Sequence, residues 1–417
     1  MTNRTRVAPV TAVATFVALG ALLLSGCSTS AQAHWSKSPG ATGPTSAAPS
    51  ATSAAAAGVS VVPASAATGV APSTRVQVTA AGGASVTAVT VTHGSSTVSG
   101  KLAADGKSWT STGKLGFNTK YTIKVTSSGA KDTTTTSTFT TAKATKTITS
   151  SLMANKMELL HTGTYGVGQV IVEQFHKPIP TSQRAAIEAA LKVTSTPAVE
   201  GRWHWINSEQ VDYRPESYWA TGTKIQVDAD LYGVKFAKGV YGGSSASATM
   251  TIGDSHVLIA DYKTERMKVY INGKLVRTVK TSLGMGGSTT NDKGQKLNYW
   301  TRGGPHIVIT KSPSTIMSSA SNGLTDKNSP YYYAPEKVYD TVRISYSGEF
   351  VHLRTWSTSL LGHRNTSHGC INVGIADAPY LYKLLREGDI VDVIHSPVPI
   401  SFANTQADWE IKWSQWT

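Results

Sequence analysis

Residues 267–284 read MKVYINGKLVRTVKTSLG, two apolar-alternating runs joined by Asn272-Gly273. A two-residue connection of that type favours the left-handed backbone that a tight hairpin turn needs at both central positions. Period-two alternation on each side puts one face of the hairpin on a core. The stretch therefore predicts an antiparallel β-hairpin and makes the surrounding unit, about 254–396, β-rich.

Downstream, residues 284–340 are rich in Gly, Ser, Asn and Tyr. A connection of that length inside a compact unit predicts a lid or binding loop. RISYSGEFVHLRTW (343–356) then gives a strand ending near His352, and GHRNTSHGCINVG (362–374) a Gly-rich turn holding Cys370. IADAPYLYKLLREGD (375–389) reads as a helix: Asp377 suits the N-cap, Pro379 the first turn, Leu381, Leu384 and Leu385 one face, and Gly388 the end. DIVDVI is one more strand. The tail, 397–417, ends in DWEIKWSQWT, whose three tryptophans predict packing back on a domain.

Upstream, 143–253 contains GVGQVIVEQF, GRWHWINSEQVDYRPESYW and TKIQVDADLYGV, a second β-rich unit. Trp203 and Trp205 share a strand face and are expected to fill a sandwich core, with His204 on the other face. From 73 to 142, short alternating segments such as SVTAVTVTH and KYTIKVTSS, separated by turn residues, predict a small immunoglobulin-like β-sandwich. Residues 27–72 are almost entirely Ala, Ser, Thr, Pro and Gly; such a composition cannot repay its ordering entropy and predicts a flexible tether.

The first 26 residues combine a basic start, the apolar run 7–24 and LSGC (24–27), the pattern of a signal peptide. Leu-Ser-Gly-Cys resembles the bacterial lipobox, which implies cleavage before Cys27 and its lipidation. Removing residues 1–26 takes away Arg4 and Arg6 and no acids, so the formal charge of +14 falls by two to +12. A basic exported chain meets anionic wall polymers and headgroups first. No nucleic-acid-binding signature is present.

With Cys27 committed to lipid, Cys370 is the remaining one of the two cysteines and has no partner for a disulfide within the chain. An unpaired exported thiol is either buried or kept for reactivity. His352, 18 positions earlier, lies on a strand that the turn can bring alongside. An imidazole there takes the thiol proton and creates the nucleophile, oriented by a backbone carbonyl such as that of Leu353. Gly369 permits a tight turn in which the N–H groups of His368, Gly369 and Cys370 converge on an oxyanion. The competing readings are a zinc site built from His352, His363, His368 and Cys370, which lacks any standard ligand spacing, and a buried inert thiol.

His352 followed by Cys370 within SHGCIN resembles the L,D-transpeptidase catalytic domain. Together with GRWHW, DYRPESYWATGTKIQV, ISYSGEFVH and DWEIKWSQW, it resembles the actinobacterial lipoprotein members, in which immunoglobulin-like domains precede that domain. The resemblance implies attack by Cys370 on the bond between the diamino acid and terminal D-Ala of a peptidoglycan tetrapeptide stem. A thioester and then a cross-link between two third-position residues follow, with His352 as base and acid. It implies substrate contacts at Tyr333, Ser347, Gly348, Trp356, Asn372 and Met317, and sensitivity to carbapenems. Some relatives hold calcium after YGV of the second sandwich; here YGVKFAKG places Lys235 and Lys238 there, so no metal is expected, and no cofactor.

The sequence thus predicts a mainly β protein: two immunoglobulin-like sandwiches followed by a catalytic domain with a short helix after the cysteine. It is expected to be membrane-anchored through lipid and to face the cell wall, with peptidoglycan stems as donor and acceptor. An L,D-carboxypeptidase using water, or a non-catalytic wall-binding lipoprotein, are the alternatives.

Overall fold

The computed structural model describes residues 58–417; the signal segment, Cys27 and most of the tether lie outside them. Strands dominate, with two short α-helices, Thr181–Glu188 and Ala378–Leu384, among the described residues. None of the helices there is long and apolar enough to cross a membrane.

The first sandwich packs the sheet Val59–Val62, Gln77–Ala80, Ser108–Ser111, Gly100–Leu102 against one built on Thr133–Thr141, Lys120–Ser128 and Ser85–His93. Its core is formed by alternating residues such as Val78, Val91, Tyr121, Ile123 and Phe139. Two of its strands, Val59–Val62 and Ala67–Val70, fall where composition predicts tether. The physical reason is that Val59, Val61 and Val70 supply inward-facing apolar bulk that the surrounding Ala and Ser disguise.

The second sandwich opposes Ser150–Met153, Ile171–Phe175, Gln210–Pro215, Gly201–Trp205 to Gly163–Tyr165, Ala246–Ile252, Lys224–Ala229, Leu191–Thr196. Trp203 and Trp205 pack half-buried on its core clusters. Strand Gln210–Pro215 is buried along its whole length. Val211 and Tyr213 enter the sandwich core, while Gln210, Asp212 and Arg214 face the other way, under the C-terminal tail.

The tail closes over this strand. The Arg214 guanidinium carbon lies 4.7, 5.5 and 4.4 Å from the ring centroids of Trp409, Trp413 and Trp416. Trp409 Nε1 donates to the Gly168 carbonyl and Trp416 Nε1 to that of Arg202. His204 stacks on Trp416 at 4.7 Å.

A nine-stranded sheet carries the rest, in the order Gly304–Ile307, Ile390–Ile394, His256–Asp261, Arg266–Ile271, Lys274–Ser282, Ile371–Val373, Phe350–Leu353, Glu336–Arg343, Thr310–Met317. The Asn272-Gly273 hairpin forms, both residues at positive φ (49° and 76°), with Ile271 paired to Lys274. Much of the stretch expected as a loop, 284–340, is strand, including the long hairpin arm Thr310–Met317. The irregular segment that remains, around 318–335, carries the tyrosines 331–333.

The helix after the cysteine spans Ala378–Leu384. Asp377 stands at its N-cap without a capping hydrogen bond, because its carboxylate pairs with Arg277 Nε at 2.9 Å. Gly388 does not end this helix; it lies where the second sandwich meets the sheet, its carbonyl accepting from Gly168 N–H at 2.8 Å. Gly166 permits that contact: a Cβ there would sit 2.1 Å from Asp389 N.

Candidate active site

Strand Phe350–Leu353 runs parallel to Ile371–Val373, with Val351 opposite Ile371 and His352 opposite Asn372. Val351, Leu353, Ile371 and Val373 all enter the core. Alternation therefore turns His352 and Asn372 to the other face, with Cys370 at the mouth of the same strand. The register makes His352 and Cys370 diagonal neighbours on adjacent strands.

The imidazole is 4% exposed, and its Nδ1 lies 2.9 Å from the Leu353 carbonyl. A carbonyl only accepts, so Nδ1 holds the proton and Nε2 presents its lone pair. Burial drives His352 down to about 4, against the Leu353 hydrogen bond and with help from Arg354. Cys370 keeps part of its surface open, yet burial pushes its thiol up to about 12; the Phe350 N–H and Arg343 oppose the rise, and Glu349 adds to it. The resting pair is thus a neutral thiol and a neutral imidazole, not the thiolate-imidazolium pair the sequence suggests. The reason is that neither charge has water around it. The thiol donates to the Gly348 carbonyl at 3.7 Å.

The turn before Cys370 is fixed by its own hydrogen bonds. Ser367 Oγ donates to the Cys370 carbonyl at 2.6 Å and accepts the Gly369 N–H at 3.1 Å; Thr301 Oγ1 donates to the Gly369 carbonyl at 2.8 Å. Gly369 has φ +130°, and a Cβ on it would meet nothing closer than 3.6 Å, so conformation rather than space demands glycine. The expectation of three convergent donors is corrected: Gly369 N–H is spent on Ser367. His368 and Cys370 give their N–H groups to no other group of the described residues.

A groove of about 950 Å³ opens on Cys370 and is lined by Met317, Tyr333, Ser347, Gly348, His368 and Gly369 among others. Tyr333 stacks on His368 at 4.5 Å, and burial raises its phenol; Tyr331 stacks instead on Tyr299 at 4.3 Å. Tyr333 is thus the tyrosine of the triplet that lines the groove with Cys370. His352 and Asn372, expected at the site, are buried and do not line the groove, and Asn372 Oδ1 is without a partner among the described residues. Trp356 stands outside the groove lining, 40% exposed, with its carbonyl drawn to Arg354 Nε at 2.6 Å. The residue that follows it, Ser357, is left-handed.

The bacterial Ig domain family matches residues 67–235 and the L,D-transpeptidase catalytic domain family residues 255–394. L,D-transpeptidase 2 of Mycobacterium tuberculosis is 34% identical over 352 residues, covering 84% of this chain and 81% of that one. The chain belongs to the L,D-transpeptidase family. Its activity is that of a peptidoglycan cross-linking transpeptidase. L,D-transpeptidase 5 of M. tuberculosis is 32% identical over 326 residues, 76% of this chain and 67% of its own. The solved structure of LD transpeptidase LdtMt1 in complex with imipenem covers 59% of this chain and 99% of its own, at 24% identity and a TM-score of 0.46.

Three residues of this transpeptidase's groove escape the sequence reading. Glu349, Arg343 and Arg302 all line it, and Arg302 donates its backbone N–H to Glu349 Oε1 at 3.0 Å. A charge between Gly348 and Phe350, just before the strand that carries His352, is the signal that was available. Among the described residues no three metal-ligating side chains come together.

Proposed function

We propose that Cys370 carries the acyl group in a cysteine-dependent transfer between peptidoglycan stems, with His352 shuttling the proton. The observation that supports it most is the fixed tautomer: with Nδ1 held by Leu353, Nε2 is the free basic atom of a residue diagonal to Cys370 across adjacent strands. As Sγ attacks the carbonyl of the third residue, the thiol proton passes to Nε2. The oxyanion is received by N–H groups of the turn. Collapse expels D-Ala, whose nitrogen takes the proton from the imidazolium and leaves a thioester. The side-chain amine of a second stem then attacks, gives its proton to Nε2, and the cysteine leaves reprotonated. The product joins two third-position residues.

Because both partners rest neutral, proton transfer accompanies attack rather than preceding it. Tyr333, Met317, Ser347 and Gly348 hold the stem in the groove, and Asn372 supports the site from below. A β-lactam of the carbapenem class acylates the same sulfur. The N-terminal LSGC motif supports lipidation at Cys27 and an extracytoplasmic, membrane-anchored location facing the wall; detergent-phase partitioning that is lost in Cys27→Ala checks it.

Intact-mass spectrometry after carbapenem exposure tests the nucleophile: wild type gains one adduct and Cys370→Ala none. An equal adduct on Cys370→Ala would sink the assignment. Incubation with a disaccharide-tetrapeptide yields dimers joined through third residues; tripeptide alone would mean that water is the acceptor.

A further inference from the structure

We propose that Glu349 receives the primary ammonium group of a stem's third residue, through its unengaged oxygen Oε2. The inference rests on the acyl-transfer reading above. Glu349 is 4% exposed and is the one carboxylate in the groove lining, where Lys293, Lys296, Arg302 and Arg343 supply the cations.

Its Oε1 is satisfied: Arg302 donates its backbone N–H at 3.0 Å, and the Arg302 guanidinium stands 3.7 Å away. Oε2 is buried and has no partner among the described residues. The only other buried, unpartnered side-chain polar atom of the lining is Tyr299 Oη, which is uncharged. Arg343 is engaged, donating to the Ser345 carbonyl at 3.1 Å and stacking 4.6 Å from the Phe350 ring.

A desolvated carboxylate oxygen without a donor is expensive, so the site is completed by a ligand that brings N–H and positive charge. The stem offers one such group beside its reacting carbonyl, the side-chain ammonium of the diamino acid. Glu349 packs against the nucleophile turn, its Cγ 3.6 Å from where a Cβ on Gly369 would lie. The same carboxylate raises the Cys370 thiol. An ammonium docked on Oε2 cancels that charge, so a correctly seated stem eases proton loss from the sulfur it will meet.

Donor and acceptor stems both carry the amine, and two measurements on the whole chain separate them. Acylation is followed in single turnover by mass, with a tetrapeptide donor whose side-chain amine is free or N-acetylated. The preformed thioester is then partitioned between an acceptor stem and water. In Glu349→Gln, either the free-amine preference or the share transferred to amine falls about tenfold or more, the worth of a charged hydrogen bond. Gln keeps an acceptor for the Arg302 N–H, so a merely structural Glu349 leaves both ratios unchanged even where rates shift, and that outcome overturns the proposal. A wild-type chain that forms no acyl-enzyme with any stem overturns the acyl-transfer reading instead.

Discussion

Around Cys370 and beneath the C-terminal tail, desolvation pushes buried groups toward their neutral forms: deprotonated for His352, protonated for Cys370 and for the carboxyls under the tail. At the active site, burial strips the proton from His352. At the junction, burial raises the Asp212 and Asp408 carboxyls, both fully buried, and the charge of Asp408 adds to the rise at Asp212. The active site opens on a groove and leaves Glu349 Oε2 unfilled. The junction is sealed by its own tail, whose tryptophan faces surround Arg214. The same desolvation makes reactivity where it is left open and cohesion where it is closed.

The largest effect should come from the open side. His352→Ala removes the proton carrier and is expected to slow carbapenem acylation about 10²–10⁴-fold. In wild type the base form of His352 persists down to about 4, and the thiol stays protonated up to about 12. Acylation rate should therefore stay level from pH 5 to 8. A tenfold climb per pH unit with a midpoint near 6–7 would show a preformed ion pair and break the contrast. The imidazole's stability contribution is present above its unfolded value of 6.5 and lost as pH falls through about 4.

Next comes the closed side. Arg214→Leu leaves Asp408 without its guanidinium and the rings without a cation, which should cost about 3 kcal/mol. A urea transition followed by tryptophan fluorescence reads it, and an unchanged midpoint would mean that the tail is held by apolar contact alone. The groove should feel the change, because the Asn404 carbonyl accepts the N–H groups of Tyr346 (2.7 Å) and Ser347 (3.2 Å), beside Gly348.

The open side was largely legible. His352, Cys370 and Gly369 lie within 19 residues, and strand alternation alone places the pair on one face. What sequence could not supply was the protonation state, which depends on burial by distant elements, or the fate of the Gly369 N–H, which depends on where the Ser367 hydroxyl points. The closed side was much less legible. Gln210, Asp212 and Arg214 alternate with Val211 and Tyr213 as a solvent-facing set should, yet they are buried because a segment some 200 residues later covers them. The helix Thr181–Glu188 was missed for a related reason: it is short, and only Ile187 anchors it in the core.

The smallest effect tests the proton held under the tail. Lys156 and Arg214 are the cations within reach of the pair and His204 stands near Asp408, while Tyr346 lies beside the pair and is itself raised by burial. Both carboxyls have folded values above their unfolded ones, so their contribution is complete below the unfolded value near 3.8 and is lost as pH rises through the folded range. Asp408→Asn replaces the shared proton with an amide that donates to Asp212 at every pH. The wild-type chain should lose at most about 1.4 kcal/mol per pH unit for each proton the pair retains across that range, and the variant distinctly less. If the two unfold with the same pH slope, the junction carries no proton, and its likeness to the active site ends at burial.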